Sequence, residues 1–100
     1  MTQSTAKLQR DIAKREFLNA VACLGCAVCR RMGYAGTPAE LHHLPRSKDV
    51  IPLCPEHHRG KLGFHVLGTR KFANHYGYTE ADLLADTDEL LEKGLFKQHS

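Results

Sequence analysis

Residues 54–65 read CPEHHRGKLGFH, and ahead of them residues 26–29 read CAVC and residues 41–44 read LHHL. Cys26-x2-Cys29, then 24 intervening residues, then Cys54-x2-His57 makes two chelating pairs. An x2 spacing lets a tight turn aim two ligands at one ion, and four N/S ligands close a tetrahedral structural zinc site. Cys23-x2-Cys26 has the same spacing. Gly25 before Cys26 and Arg30-Arg31 after Cys29 have the look of a zinc-knuckle turn, so Cys26, Cys29, Cys54 and His57 are the expected ligands. Cys23 is expected to be buried at the end of a helix. The competing assignment exchanges Cys23 into the first pair.

Outward from these pairs the chain reads as strand, strand, helix, with helices on either side. Residues 39–44 (AELHHL) and 49–54 (DVIPLC) are predicted strands flanking a turn at Pro45–Lys48, with Pro52 best suited to an edge strand. Pro55 suits the first position of a short helix that Gly60 and Gly63 limit. Over residues 5–22, Leu8, Ile12, Phe17, Leu18 and Val21 fall at roughly helical spacing, with Lys7, Arg10, Lys14 and Arg15 largely on other faces. A further helix is predicted from Thr69 as N-cap to Gly77 as the residue after its end. The last follows Thr79, which with Asp82 resembles a capping box, and runs to Lys93 before Gly94. The fold class is therefore α+β, in one domain over residues 1–100 with a core motif at about 21–77.

A 100-residue chain buries a modest share of its surface, so a metal staple answers a real need. With 42% hydrophobic and 25% charged residues it has a globular composition, and no run of about 18 apolar residues offers a membrane span. The N-terminus has no signal-peptide apolar stretch, and cytoplasmic location is expected. Four cysteines in such a chain point to metal or redox chemistry rather than disulfides. Residues 1–78 hold 12 Lys/Arg against 5 Asp/Glu (+7), and residues 79–100 hold 2 against 6 (−4). A basic body with an acidic tail suits a polyanionic partner.

Seven histidines are many for this length, and five lie between positions 42 and 65. With His57 assigned to zinc, His42, His43, His58 and His65 remain. Strand alternation sends His42 and His43 to opposite faces, and zinc ligand His57 fixes where the helix presents His58. His42 and His58 are expected within reach of one shared ion.

The segment GCAVCRRMGYAGTPAELHHL…VIPLCPEHHRGKLGFHVLG…F…YG resembles the HNH (ββα-metal) endonuclease superfamily, and more narrowly the phage recombination-enhancement (Ref) or RecA-dependent nuclease family. The likeness covers about residues 21–77. It implies a zinc-stapled ββα-metal fold with flanking helices and a divalent-metal-dependent DNA endonuclease of low sequence specificity, phage or prophage encoded. By the same resemblance His42 binds the catalytic metal, His43 is the general base, and His58 is the second metal ligand. His65 is a third ligand or a phosphate contact. The middle HNH position, usually Asn, falls near Asp49, a departure that would place an anion where it could accept a hydrogen bond from His43. The long basic N-terminal extension of the Ref family is absent, so RecA dependence does not follow.

Phosphodiester hydrolysis needs an activated water and neutralised phosphoryl charge, and histidine can act as a base at neutral pH. Imidazole-rich ligation favours Mn, Ni, Co or Zn, while Mg2+ can serve because DNA adds oxygen ligands. Arg30, Arg31, Arg46, Lys48, Arg59, Lys61, Arg70 and Lys71 flank the motif as candidate phosphate contacts. Two other readings compete: a non-catalytic zinc-finger-like module binding DNA or protein, and a metal-storage or redox protein. The first needs only the Cys/His quartet, and the second is disfavoured by the regular motif spacing.

Overall fold

A computed structural model describes residues 2–45 and 47–94, with side chains from residue 13 onward. Its elements run α1 (Thr2–Cys23), α2 (Ala27–Arg31), β1 (Glu40–His43), β2 (Val50–Leu53), α3 (Pro55–Arg59), α4 (Phe64–Tyr76) and α5 (Glu80–Glu92). The expectations for Lys7, Leu8, Arg10, Ile12 and Arg46 side chains lie outside the described residues. None of the described helices is long and apolar enough to cross a membrane.

β1 and β2 form an antiparallel pair in which Leu41 faces Pro52, His42 faces Ile51 and His43 faces Val50. In a two-stranded sheet both strands are edges, which is why Pro52 is tolerated even though it is fully buried. All four β2 residues are buried, because α1, α2, α3 and α5 pack on this strand. α2 was not expected from the sequence, where residues 26–31 read only as a turn. A five-residue helix leaves too little apolar periodicity to announce itself.

α4 holds the second difference. It begins at Phe64, five residues ahead of Thr69, but Gly68 breaks it with φ 79° and ψ 169°, a conformation that glycine adopts without Cβ strain. The sequence periodicity registered only the stretch beyond that break. Gly77 ends the helix in the left-handed region (φ 87°), as expected. At α5 the Thr79 hydroxyl accepts from the Asp82 amide (3.2 Å), and the Asp82 carboxylate accepts from the Thr79 amide (2.9 Å). The capping box is thus complete.

The core joins Val28 of α2, Ile51 and Leu53 of β2, Phe64 and Phe72 of α4 and Leu83 of α5. Phe64 and Phe72 stack with ring centroids 3.7 Å apart, and the His42 ring lies on Phe64 at 5.0 Å with the planes inclined by 12°. Burial of these rings drives the assembly and also sets the plane of the His42 imidazole. On α1, Val21 is buried and Leu18 half-buried, but Phe17 is 47% exposed instead of joining the core. Phe17 lines an open cleft with His43 of β1 and Lys48 of the hairpin turn.

Gly25 links α1 to α2 with φ 82°, and a Cβ there would come within 2.8 Å of the Gly36 Cα. Gly33 also has positive φ, 97°, but has open space where a Cβ would stand. Gly33→Ala should therefore lose only the left-handed penalty of about 1–2 kcal/mol. Gly25→Ala adds a backbone collision worth a further ~1–3 kcal/mol. Denaturant unfolding of both zinc-loaded variants checks the order; equal losses would show that the Gly25–Gly36 approach does not constrain the fold.

Candidate metal centres

Both chelating pairs use one local device. Cys26 is the N-cap of α2 and Cys54 the N-cap of α3, so Cys29 and His57 each occupy the third helical position beyond their cap. The cap and third positions face each other across the first turn, and the Cys29 amide donates to Cys26 Sγ at 3.4 Å. Pro55 preorganises the first turn of α3, where its missing N–H costs no helical bond.

The four ligand atoms converge. His57 Nδ1 lies 3.6 Å from Cys26 Sγ, 3.5 Å from Cys29 Sγ and 3.2 Å from Cys54 Sγ, while Cys29 Sγ and Cys54 Sγ are 3.9 Å apart. Ligands about 2.3 Å (S) and 2.1 Å (N) from a common centre, at the tetrahedral angle, stand about 3.6–3.8 Å from each other. The quartet fits that arrangement, with all four atoms within 4.8 Å, and could hold a metal such as zinc. Burial pushes the Cys26 thiol up to about 12, with the neighbouring Cys54 and Cys29 sulfurs adding to it against the backbone amides. Burial also lowers His57, which favours the neutral imidazole a metal needs. A bound cation supplies the charge that would stabilise thiolates in this apolar pocket.

Cys23, the last residue of α1, is exposed and stands outside the quartet. The expectation of a buried Cys23 is corrected: the chain turns at Leu24 and Gly25, which are buried in its place.

A second cluster lies beside the first. Ligand nitrogens of His42, His58 and His65 all fall within 4.8 Å of one another. Ring centroids are 5.2 Å apart for His42–His58, 4.5 Å for His58–His65 and 6.2 Å for His42–His65. His57 and His58 are consecutive on α3, so the helix sends one imidazole to each cluster. Gly60 and Gly63 end α3 and turn the chain so that α4 opens with Phe64 in the core and His65 exposed.

Two carboxylates that the sequence reading missed complete this cluster. His42 Nε2 donates to Glu80 Oε2 at 2.8 Å, and His58 Nδ1 donates to Glu40 Oε1 at 2.9 Å. A carboxylate only accepts, so these bonds leave His42 Nδ1 and His58 Nε2 as the lone-pair nitrogens. Metal-binding histidines are commonly oriented this way by a carboxylate on the other ring nitrogen. Glu40 also takes Arg59 Nη2 at 2.7 Å, and Arg59 first, then His58, holds its carboxyl down to about 2. Glu80 accepts in addition from Thr69 Oγ1 at 3.2 Å. Glu40 sits two residues before His42 and so shares its strand face, a signal the sequence did contain. Glu80 comes from α5, and no local pattern links it to His42.

The structure does not bring His43 or Asp49 to the histidine trio. His43 is exposed on the opposite face of β1, and the Asp49 carboxylate accepts from Ser47 Oγ at 2.9 Å at the hairpin turn. Three of the candidate phosphate contacts are engaged internally. Arg30 Nη2 donates to the Leu24 carbonyl (2.6 Å), Arg31 pairs with Asp86 (2.7 Å) over the Tyr78 ring, and Arg59 pairs with Glu40. Those partners hold the guanidinium groups against the protein. Lys48, Lys61, Arg70 and Lys71 are exposed.

Comparison with known proteins found no matching family model, no matching curated protein and no matching solved structure.

Zinc-loaded protein should contain one tightly held zinc per chain. Cys54→Ser should lose that zinc and most of the fold, since structural zinc contributes about 10–16 kcal/mol of apparent binding free energy. Cys23→Ser should keep both. Elemental analysis with circular dichroism checks this, and zinc loss in Cys23→Ser would overturn the ligand set.

Proposed function

We propose that the chain is a metal-dependent DNA endonuclease of the HNH (ββα-metal) type that hydrolyses phosphodiester bonds with little sequence preference, encoded by a phage or prophage. What supports the reading above all is the His42–His58–His65 trio on a β-hairpin–helix unit, two of its rings held by carboxylates. A zinc staple needs none of these groups. The spacing of LHHL and CPEHHRGK, on which the resemblance rests, points the same way.

In this reading His42 Nδ1 and His58 Nε2 hold a divalent cation such as Mn2+ or Mg2+, with water and DNA oxygens completing its shell, and His65 keeps its imidazole off the ion. The cation would supply charge neutralisation at the phosphoryl group and acidify water. Glu80 and Glu40 fix the tautomers of their histidines, and the Phe64–Phe72 stack fixes the plane of His42. The proton acceptor has to stand on the trio's side of the sheet. His43 faces the other side, and the exposed imidazole on the trio's side is His65. Lys61, Arg70 and Lys71 are exposed cations on or next to the helices that carry His58 and His65, suited to the flanking phosphates.

Plasmid nicking in Mg2+, Mn2+, Ni2+ and Co2+, at matched zinc content, tests the proposal. His42→Ala and His58→Ala should lower cleavage about 10²-fold or more while zinc and fold persist. Loss of the proton acceptor typically costs about 10²–10⁴ in rate with DNA binding kept. That loss is expected for His65→Ala and not for His43→Ala. Wild-type protein that nicks in none of these metals would sink the nuclease reading and leave the zinc-stapled binding module, for which the Cys3His quartet suffices.

A further inference from the structure

On the face of β1 away from the trio, α1 and the β1–β2 turn enclose a cleft of about 510 Å3 lined by Lys14, Phe17, His43, Ser47 and Lys48. The proposed chemistry uses none of these residues. Lys14 and Phe17 are three positions apart on α1 and therefore share a helix face. Both are exposed, and so are His43 and Lys48 across the cleft. Among the described residues neither lysine takes part in a salt bridge, whereas Arg31 and Arg59 are both paired. The Asp49 carboxylate, next to Lys48 in sequence, accepts from the Ser47 hydroxyl, which in turn accepts from the Asp49 amide.

Two lysines with no ion-pair partner among the described residues thus share a cleft with an open aromatic ring. Water solvates the ammoniums but gains nothing from a phenyl ring that is 47% exposed. A ligand matching both carries negative charge and a flat apolar face at short spacing. A nucleic-acid strand has that combination: phosphates for the lysines, and a base that can stack on the phenyl ring. In a duplex the base faces are covered by their neighbours, so the aromatic ring selects for unpaired bases.

We propose that this cleft binds single-stranded nucleic acid, with a phosphate between Lys14 and Lys48 and an unpaired base on Phe17. His43 lies where it can donate to a phosphodiester oxygen. The inference rests on nucleic acid being the partner, as in the reading above, and not on cleavage. It gives the chain a second binding surface, so that a strand engaged here lies across β1 from the histidine trio.

The test is fluorescence anisotropy of a 5′-labelled oligo-dT 15-mer with the zinc-loaded full chain and no second metal. Phe17→Ala should weaken binding about tenfold, and Phe17→Tyr should restore it. In Lys14→Ala/Lys48→Ala the dependence of log K on log salt should flatten by about 0.7, the value for the one single-strand phosphate that the lysine pair no longer neutralises. Lys93→Ala, which removes a lysine paired with Glu89 at the end of α5, should leave affinity and salt slope unchanged. An unlabelled duplex of equal length should compete poorly. Phe17 is half exposed, so its variants should retain zinc and melting temperature, which checks the fold. Phe17→Ala binding like wild type, an unchanged salt slope in the lysine variant, or equal competition by duplex would each overturn the cleft. Plasmid nicking by the same variants separates the two proposals. A cutting enzyme with unaltered oligonucleotide binding fails the cleft alone, and cleft binding without any cutting fails the nuclease alone.

Discussion

The convergence of three sulfurs and one imidazole nitrogen between α2 and α3 is the constraint on which the rest of this small structure depends. Each helix has five residues, far too short to be stable by itself, and each begins with a cysteine as its N-cap. Closing the quartet ties a segment before β1 to one after β2, and so clamps the hairpin between them. It also fixes the rotation of α3. Because His57 must present Nδ1 to the sulfurs, His58 is turned toward His42 and His65, and the geometry of one cluster is inherited by the other.

Core packing acts on the same residues from the other side. The Phe64–Phe72 pair fills the space under the hairpin, and His42 continues that stack, so an aromatic core ends in an ionisable ring. His42 is only 8% exposed, and such burial of a polar ring demands a partner. Glu80 supplies it from α5, a helix anchored by its capping box and by Leu83 in the core. The acidic C-terminal helix, which charge counting set apart from the basic body, thus contributes a carboxylate to the centre of the molecule.

The two faces of β1 are used differently. One carries buried His42 into a cluster with His58, His65 and two carboxylates, where hydrogen bonds orient two of the rings. The other shows His43 to an open cleft with two lysines and a phenyl ring. Neighbouring residues in a strand cannot share a face, so the adjacency of the two histidines in sequence separates their environments in space.

Spacing narrowed the metal ligands to Cys54, His57, Cys26 and one of Cys23 or Cys29, because x2 pairs are a local property of a helix cap and need no knowledge of the fold. Alternation determined that His42 and His43 part company, and the Pro55, Gly77 and Thr79–Asp82 signals placed helix ends for equally local reasons. Tertiary structure decided the rest. It chose Cys29 over Cys23 as the partner of Cys26, leaving Cys23 exposed, and it left Phe17 outside the core, beside the cleft that His43 lines. It joined His42 to Glu80 across 38 positions and engaged Arg30, Arg31 and Arg59 internally. Such pairings are set by which surfaces meet once the core has closed, and periodicity along the chain carries no record of them.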